Sequence, residues 1–378
     1  MNGERNPGDA QGARAHHVPA GLTATAAALD DPSFPGGQAQ RVTKPLPAWE
    51  AHLPKIYLVA LIVATVGLLW FPRTANAYNI TLALTVLMTI SLATSWNILS
   101  GFGGYTSFGH AGFFGIGSYV GALLVFNDIA HWIWASLVAG LATAAVAAII
   151  GYPTLRLRGP YFAITMLGLS ELAAIIVTAW DSVTRGGIGV FLPIPRPGDP
   201  VTSGSLWVQF RSLLEQNPTY YVMLVLAIVA VVVSYAVGTS RFGLKLLSIR
   251  DDEVAAQAMG IDTTRVKMLA FTLSAFFPGA AGAVYARHIG FIDPVTVFAV
   301  IWSIRAIATA ILGGQGTILG PIIGAVALTL ISEEVWIQDP NLYQVIFGGL
   351  IVLVVLFMPG GLIALMQGWG WLPRSRRL

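Results

Sequence analysis

Two sets of residues in this sequence have the types and spacing to do something specific. The first is a trio of ionisable side chains, His110, Glu171 and Arg305, each inside an otherwise apolar run. Ionisable groups in such runs are costly and face either a partner or a water-filled path. Glu171 and Arg305 can pair with each other, or Arg305 can meet a substrate carboxylate. His110 lies near one end of its run and reads equally as a helix-end group. The second set is the stretch Arg250-Asp251-Asp252-Glu253, followed by Val254, Ala255, Ala256, Gln257, Ala258, Met259 and Gly260. Asp251 is placed to cap a short helix with an acidic first turn, and Gly260 to end it at the position after the cap. The small residues Ala255, Ala256 and Ala258 let another surface approach closely, with Arg250 and Glu253 as flanking charges. An ordinary amphipathic loop helix is the alternative.

Signatures of covalent chemistry are missing. The chain contains no Gly-Lys dipeptide and so no phosphate-binding loop of the Gly-rich, Lys-Ser/Thr kind. His110, His131 and His288 are scattered, without paired metal-ligand spacing. The segments Gly168-Leu169-Ser170-Glu171-Leu172 and Gly238-Thr239-Ser240-Arg241-Phe242 lack the closing glycine of a nucleophile elbow. With no cysteine, disulfides, thiolate metal sites and a Cys nucleophile are excluded. The sequence therefore predicts neither an enzyme nor a resident cofactor or metal.

The elements that must carry these residues follow from composition. Of 378 residues 55% are hydrophobic and 10% charged, against roughly 25% charged in soluble domains. This excludes an ordinary soluble protein and predicts an all-α, polytopic transmembrane bundle. Spans need about 20 apolar residues, and candidates lie near 56–71, 78–99, 105–126, 132–151, 161–180, 220–238, 267–287, 296–312, 318–333 and 342–358. That makes about ten segments, some short or broken. Residues 1–50 read as a flexible tail without the apolar core of a signal peptide, 51–366 as the membrane domain, and 367–378 as a basic tail.

With the N-terminus inside, the inner connections hold Arg5, Arg14, Arg41, Lys44 and Lys55, then Arg156 and Arg158, then Arg241, Lys245, Arg250, Arg265 and Lys267, and last Arg374, Arg376 and Arg377. The outer ones hold Arg73, Arg185, Arg196 and Arg211. This bias predicts cytoplasmic termini and an even number of crossings. The outer loop 181–219 reads equally as a solvated cap or as a docking surface for an extracytoplasmic partner. A net charge of +3 lends no support to nucleic-acid binding.

Several stretches carry a family resemblance. The run from Asn97 to Gly117, Asn-Ile-Leu-Ser-Gly-Phe-Gly-Gly-Tyr-Thr-Ser-Phe-Gly-His-Ala-Gly-Phe-Phe-Gly-Ile-Gly, is similar to the signature of branched-chain amino-acid (LivM-type) permeases of ABC importers. So are Gly159–Ile164, Ala270–Phe277 and Leu312–Pro321, in matching order, and residues 241–266 resemble the cytoplasmic coupling loop of such permeases. The resemblance covers about residues 80 to 360. It implies a subunit of the bacterial inner membrane, working with a LivH-type sister permease, two LivG/LivF-type ATPases and an extracytoplasmic binding protein. ATP and magnesium would then sit on the ATPases, and Arg250, Asp251, Asp252, Glu253, Ala255, Ala256, Ala258, Met259 and Gly260 would receive their stroke. His110, Glu171 and Arg305 are expected on the translocation path. So are the glycines of two breaks, Gly103 and Gly104, and Gly313 and Gly314, whose backbone groups could meet a zwitterionic solute. The glycines from Gly103 to Gly121 also suit close helix packing. Urea or short-amide permeases share these motifs, and a gradient-driven secondary transporter is the competitor from another class.

Overall fold

The computed structural model of the chain describes residues 65–157, 159–192, 217–338, 348–349 and 360–368. The expected tail 1–50 and most of 56–71, 342–358 and 367–378 lie outside them. The chain is helical, in this order: α1 (Ala77–Trp96), running on into a wide π-type turn at Asn97–Gly101; α2 (His110–Phe126); α3 (Trp132–Thr154); α4 (Pro160–Ala179); α5 (Pro218–Thr239); α6 (Arg241–Asp251); α7 (Glu253–Ala258); α8 (Thr263–Ile289); α9 (Ile301–Gly313), preceded by the single turn Pro294–Val297; α10 (Gly320–Gln338); and α11 (Gly361–Gly368). Six of these segments are long and apolar enough to cross a membrane, counting Pro294–Gly313 as one; α2 and the apolar part of α10 are shorter. Ten crossings are thus not established, although every segment expected between 78 and 333 contains helix.

Local chemistry sets the helix ends. Pro160 and Pro218 open α4 and α5, where a missing N–H costs nothing. The side chains of Ser240, Asp252 and Asp262 accept hydrogen bonds from Gly243 N, from Val254 N and Ala255 N, and from Arg265 N, capping α6, α7 and α8. The cap of α7 is therefore Asp252 and not Asp251. Helix α6 runs through Asp251, and only at Asp252 does the backbone become extended, with φ −156° and ψ 111°, as a cap requires.

Helix α8 lies at the centre, packed on α2 and α3. The packing is backbone to backbone: a Cβ added at Gly117 would strike the backbone of Gly279, and one at Gly121 would strike Ala283. Buried hydroxyls add bonds between helices, from Ser95 Oγ to Ser274 O at 2.5 Å and from Thr143 Oγ1 to Ala275 O at 3.1 Å. This is how helices associate in lipid, where apolar side chains gain nothing by leaving hydrocarbon and contact depends on small residues and shared hydrogen bonds.

The end of the bundle opposite α6 and α7 carries the fold's one departure from all-helical architecture among the described residues. Val190 and Phe191 pair antiparallel with Ile292 and Phe291, so part of the expected outer loop 181–219 is folded. Residues 193–216 of that loop lie outside the described residues.

The glycine contact sets a prediction. Gly117→Val, facing rigid backbone, should abolish a monodisperse species on size exclusion in detergent. Gly168→Ala, on α4 with nothing within 4 Å of its added methyl, should leave the elution profile intact and stabilise by about 0.5–1 kcal/mol through helix propensity.

Candidate functional site

At the α6–α7 end the structure gathers charged residues from distant parts of the sequence. Lys267, in the first turns of α8, is buried. Its Nζ donates to Glu253 Oε1 at 2.6 Å, to Tyr105 Oη at 2.9 Å and to the Leu155 carbonyl at 3.1 Å. Tyr105 Oη in turn donates to Glu253 Oε2 at 2.7 Å. All three ammonium protons and both carboxylate oxygens thus have partners. The Lys267 and Glu253 side chains retain only 6% and 13% exposure, so the pair is in the regime where geometry, not solvent, decides its worth. Three elements meet here: α7 through Glu253, α8 through Lys267, and the non-helical link 103–109 through Tyr105.

A second junction lies beside it. The π-type turn leaves carbonyls off the helical ladder, and the Arg250 guanidinium donates from Nη1 to Gly101 O at 2.5 Å. Asn97 bridges to the glycine break between α9 and α10: its Nδ2 donates to Thr317 O at 2.8 Å, and its Oδ1 accepts from Gly316 N at 2.7 Å. Gly104 has φ +76°, and a Cβ there would press on the Arg250 side chain at 2.9 Å; glycine alone permits both the turn and the approach. Gly103, by contrast, sits at ordinary contact distance from Leu246. Gly313 packs so closely on Gly320 that no side chain fits, and Gly314, at φ +127°, turns the chain. The two glycine breaks are thus joined to α6 and to each other. A cavity of about 480 Å³ remains between the 103–106 link, Gly159-Pro160 and the α6–α7 corner.

Of the residues expected to face a partner, Ala255, Ala258, Met259 and Gly260 are exposed, as are Asp251 and Asp252. Val254 and Met259 stand 61% and 70% exposed, an apolar pair on a short polar helix. Ala256 is different. It is fully buried in the core with Leu246, Ile249 and Val266, so it faces its own fold and cannot be approached from outside. Glu253 turns inward as an anchor, and Arg250, itself exposed, reaches back to the Gly101 carbonyl. Lys267, Tyr105 and Asn97 hold these junctions, and sequence reasoning did not single them out. Lys267 counted there only as a loop cation, and the signal available was its position within an apolar run.

The trio expected along the path is not assembled into one cluster. His110, the first residue of α2, is fully buried, edge-on to Phe113, and neither ring nitrogen has a hydrogen-bond partner among the described residues. Its neighbours resolve the helix start instead: Ala111 N donates to Ser303 Oγ and Gly112 N to Ser170 Oγ. Arg305 is half-buried in α9, with its guanidinium carbon 5.7 Å from the Trp302 ring centroid. Glu171 is exposed in the middle of α4 and lines a separate cavity beside residues 294–300. No ion pair joins Glu171 to Arg305 among the described residues. A lone charge at the centre of a span costs about 2.5–3.5 kcal/mol on insertion scales, so the Glu171 face of α4 is not a passive lipid face.

Long apolar helices interrupted at glycines, with a short amphipathic pair anchored across one end, define a multi-pass membrane transport subunit. Residues 78–356 match the family described as branched-chain amino acid transport system / permease component, and the chain belongs to that family. It is 32% identical over 329 residues, 83% of this chain and 76% of the relative, to the high-affinity branched-chain amino acid transport system permease protein LivM of Salmonella typhimurium. With LivM of Escherichia coli K12 it shares 31% over 330 residues, again 83% and 76%. Similarity extends at 27% over 285 residues to LivH of Escherichia coli K12, covering 72% of this chain and 90% of that one. No solved structure matches.

The buried pair sets a double-mutant prediction. Glu253→Leu or Lys267→Met alone should destabilise by about 3–5 kcal/mol, because each strands a buried charge. Glu253→Leu with Lys267→Met should recover most of that loss. Thermal unfolding of the purified protein in detergent reads the cycle, and simple additivity of the single losses would refute the pairing.

Proposed function

We propose that this chain is the membrane-spanning permease subunit of an ATP-binding cassette importer for branched-chain or related amino acids in a bacterial inner membrane. It would pair with a LivH-type sister permease, two cytoplasmic ATPases holding ATP and magnesium, and an extracytoplasmic binding protein. Family membership and the LivM and LivH relatives support this reading. The cation bias among the connections supports cytoplasmic termini, and with them a cytoplasmic α6–α7 corner and an outer loop at 181–219.

The observation that carries the mechanism is the double anchoring of that corner, at Lys267 and Tyr105 through Glu253 and at Gly101 through Arg250. A push on the exposed face of α7 would be absorbed as compression in a freely hinged loop. Here it passes to α8 through the buried Lys267–Glu253 pair, which cannot separate without a desolvation cost, and to the π-type turn of α1 through the Arg250–Gly101 hydrogen bond. The link 103–109 and the break at 313–317 lie where such a displacement would open or close a path. Solute crosses unchanged, and His110, Glu171 and Arg305 are the ionisable groups proposed along its route.

The test is reconstitution in liposomes with sister permease, ATPases and binding protein. Leucine-loaded binding protein should stimulate ATP hydrolysis and leucine uptake together. Uptake without ATPases would instead establish a gradient-driven carrier, and stimulation by urea or amides alone would exclude the amino-acid assignment. Ala258→Trp, on the exposed face of α7, should weaken ATPase association roughly ten- to a hundredfold through overpacking while leaving the permease folded. Arg250→Ala should retain ATPase association but lower uptake per ATP hydrolysed.

A further inference from the structure

The cavity beside Glu171 has a chemistry of its own. Its volume is about 380 Å³, and it lies between α4 and the interruption that separates the turn Pro294–Val297 from α9. Ile175, Val295 and Phe298 give it apolar walls. Glu171 gives it a carboxylate with no hydrogen-bond or ion-pair partner among the described residues. That carboxylate sits eight residues before the end of α4, about 12 Å along the helix axis.

The interruption itself adds a third feature. Val300, the residue before α9, offers no side-chain cap, and the amides of Ala299, Val300 and Ile301 find no acceptor among the described residues, whereas the flanking Phe298 N and Trp302 N do. Non-helical backbone at membrane depth is tolerated where it is buried in protein or lines a water-filled cavity, and Ala299 and Val300 line this one. These amides are also the positive end of a thirteen-residue helix.

Resting on the importer reading, we propose that this cavity is the amino-acid subsite of the translocation path. Glu171 accepts the ammonium group of the solute, the amides of Ala299 and Val300 receive its carboxylate, and Ile175, Val295 and Phe298 take its branched side chain. The three features match the three parts of such a solute: one cation, one anion and one short apolar group. A carboxylate alone would suit any cation, and an apolar pocket alone any small hydrophobe. Together they select a zwitterion with an aliphatic side chain, and the lack of an internal partner keeps Glu171 ready for an incoming ammonium.

The absence of cysteine from the native chain makes the test direct. In the assembled importer, Val295→Cys, or Ala174→Cys should the first fail to fold, places a single thiol of this chain on the cavity wall. Its modification rate by a small charged thiosulfonate is measured with leucine and its binding protein. The same measurement uses 4-methylpentanoate, which lacks the amine, and isopentylamine, which lacks the carboxylate. Leucine should slow modification roughly tenfold and each truncated analogue far less. Glu171→Gln should remove the protection by leucine and lower uptake by roughly tenfold or more, while leucine-loaded binding protein still stimulates ATP hydrolysis; Glu171→Asp should restore part of both. Equal protection in Glu171→Gln, or unchanged uptake, overturns the subsite and leaves the importer standing. A wild-type complex whose ATP hydrolysis ignores leucine overturns the amino-acid reading, and the subsite with it.

Discussion

A buried ammonium governs the α6–α7 end of this protein. Lys267 enters the core in the first turns of α8, and burial of an ion is tolerable only if every proton finds an acceptor. Its partners come from α7, from the link between α1 and α2, and from the end of α3. One electrostatic demand therefore pins four parts of the chain to a single point. Without it α7 would be a short polar helix with little apolar area to hold it; with it, α7 is a rigid extension of the central helix.

The remaining irregularities obey a related constraint. Where helices break within apolar segments, no water stands by to satisfy the backbone, and side chains do so instead. Asn97 serves the 316–317 break, Arg250 the Gly101 carbonyl, and Ser303 and Ser170 the first amides of α2. The interruption at 298–301 differs in bordering the Glu171 cavity.

Much of the helical architecture could be read from the sequence. The apolar runs located α1 to α5 and α8 to α10 within a few residues, and Gly313–Thr317 was recognisable as a break between short helices. The acidic stretch at 250–260 announced a short capped helix, although the cap fell on Asp252 because α6 runs through Asp251. The spacing of Gly117 and Gly121 foretold close packing, but not that Gly279 and Ala283 would be the partners. Pairing across a bundle depends on how helices rotate and cross, and residue order carries no direct record of that.

Sequence by itself determined the class: too few charges for a soluble globule, apolar runs of membrane length, no signature of nucleotide or metal chemistry, and motifs in the order of a transport family. These are one-dimensional properties, set by how much apolar surface a stretch must hide and how costly its charges are in lipid. Tertiary structure alone decided the direction of each charge. Glu253, expected to flank a docking face, turns inward to anchor it and Ala256 goes with it, Arg250 reaches back from an exposed position to Gly101, and Glu171 and Arg305 stay apart. The reason is that desolvation and pairing energies depend on distances of a few ångströms between residues more than a hundred positions apart. Only the packed bundle sets those distances.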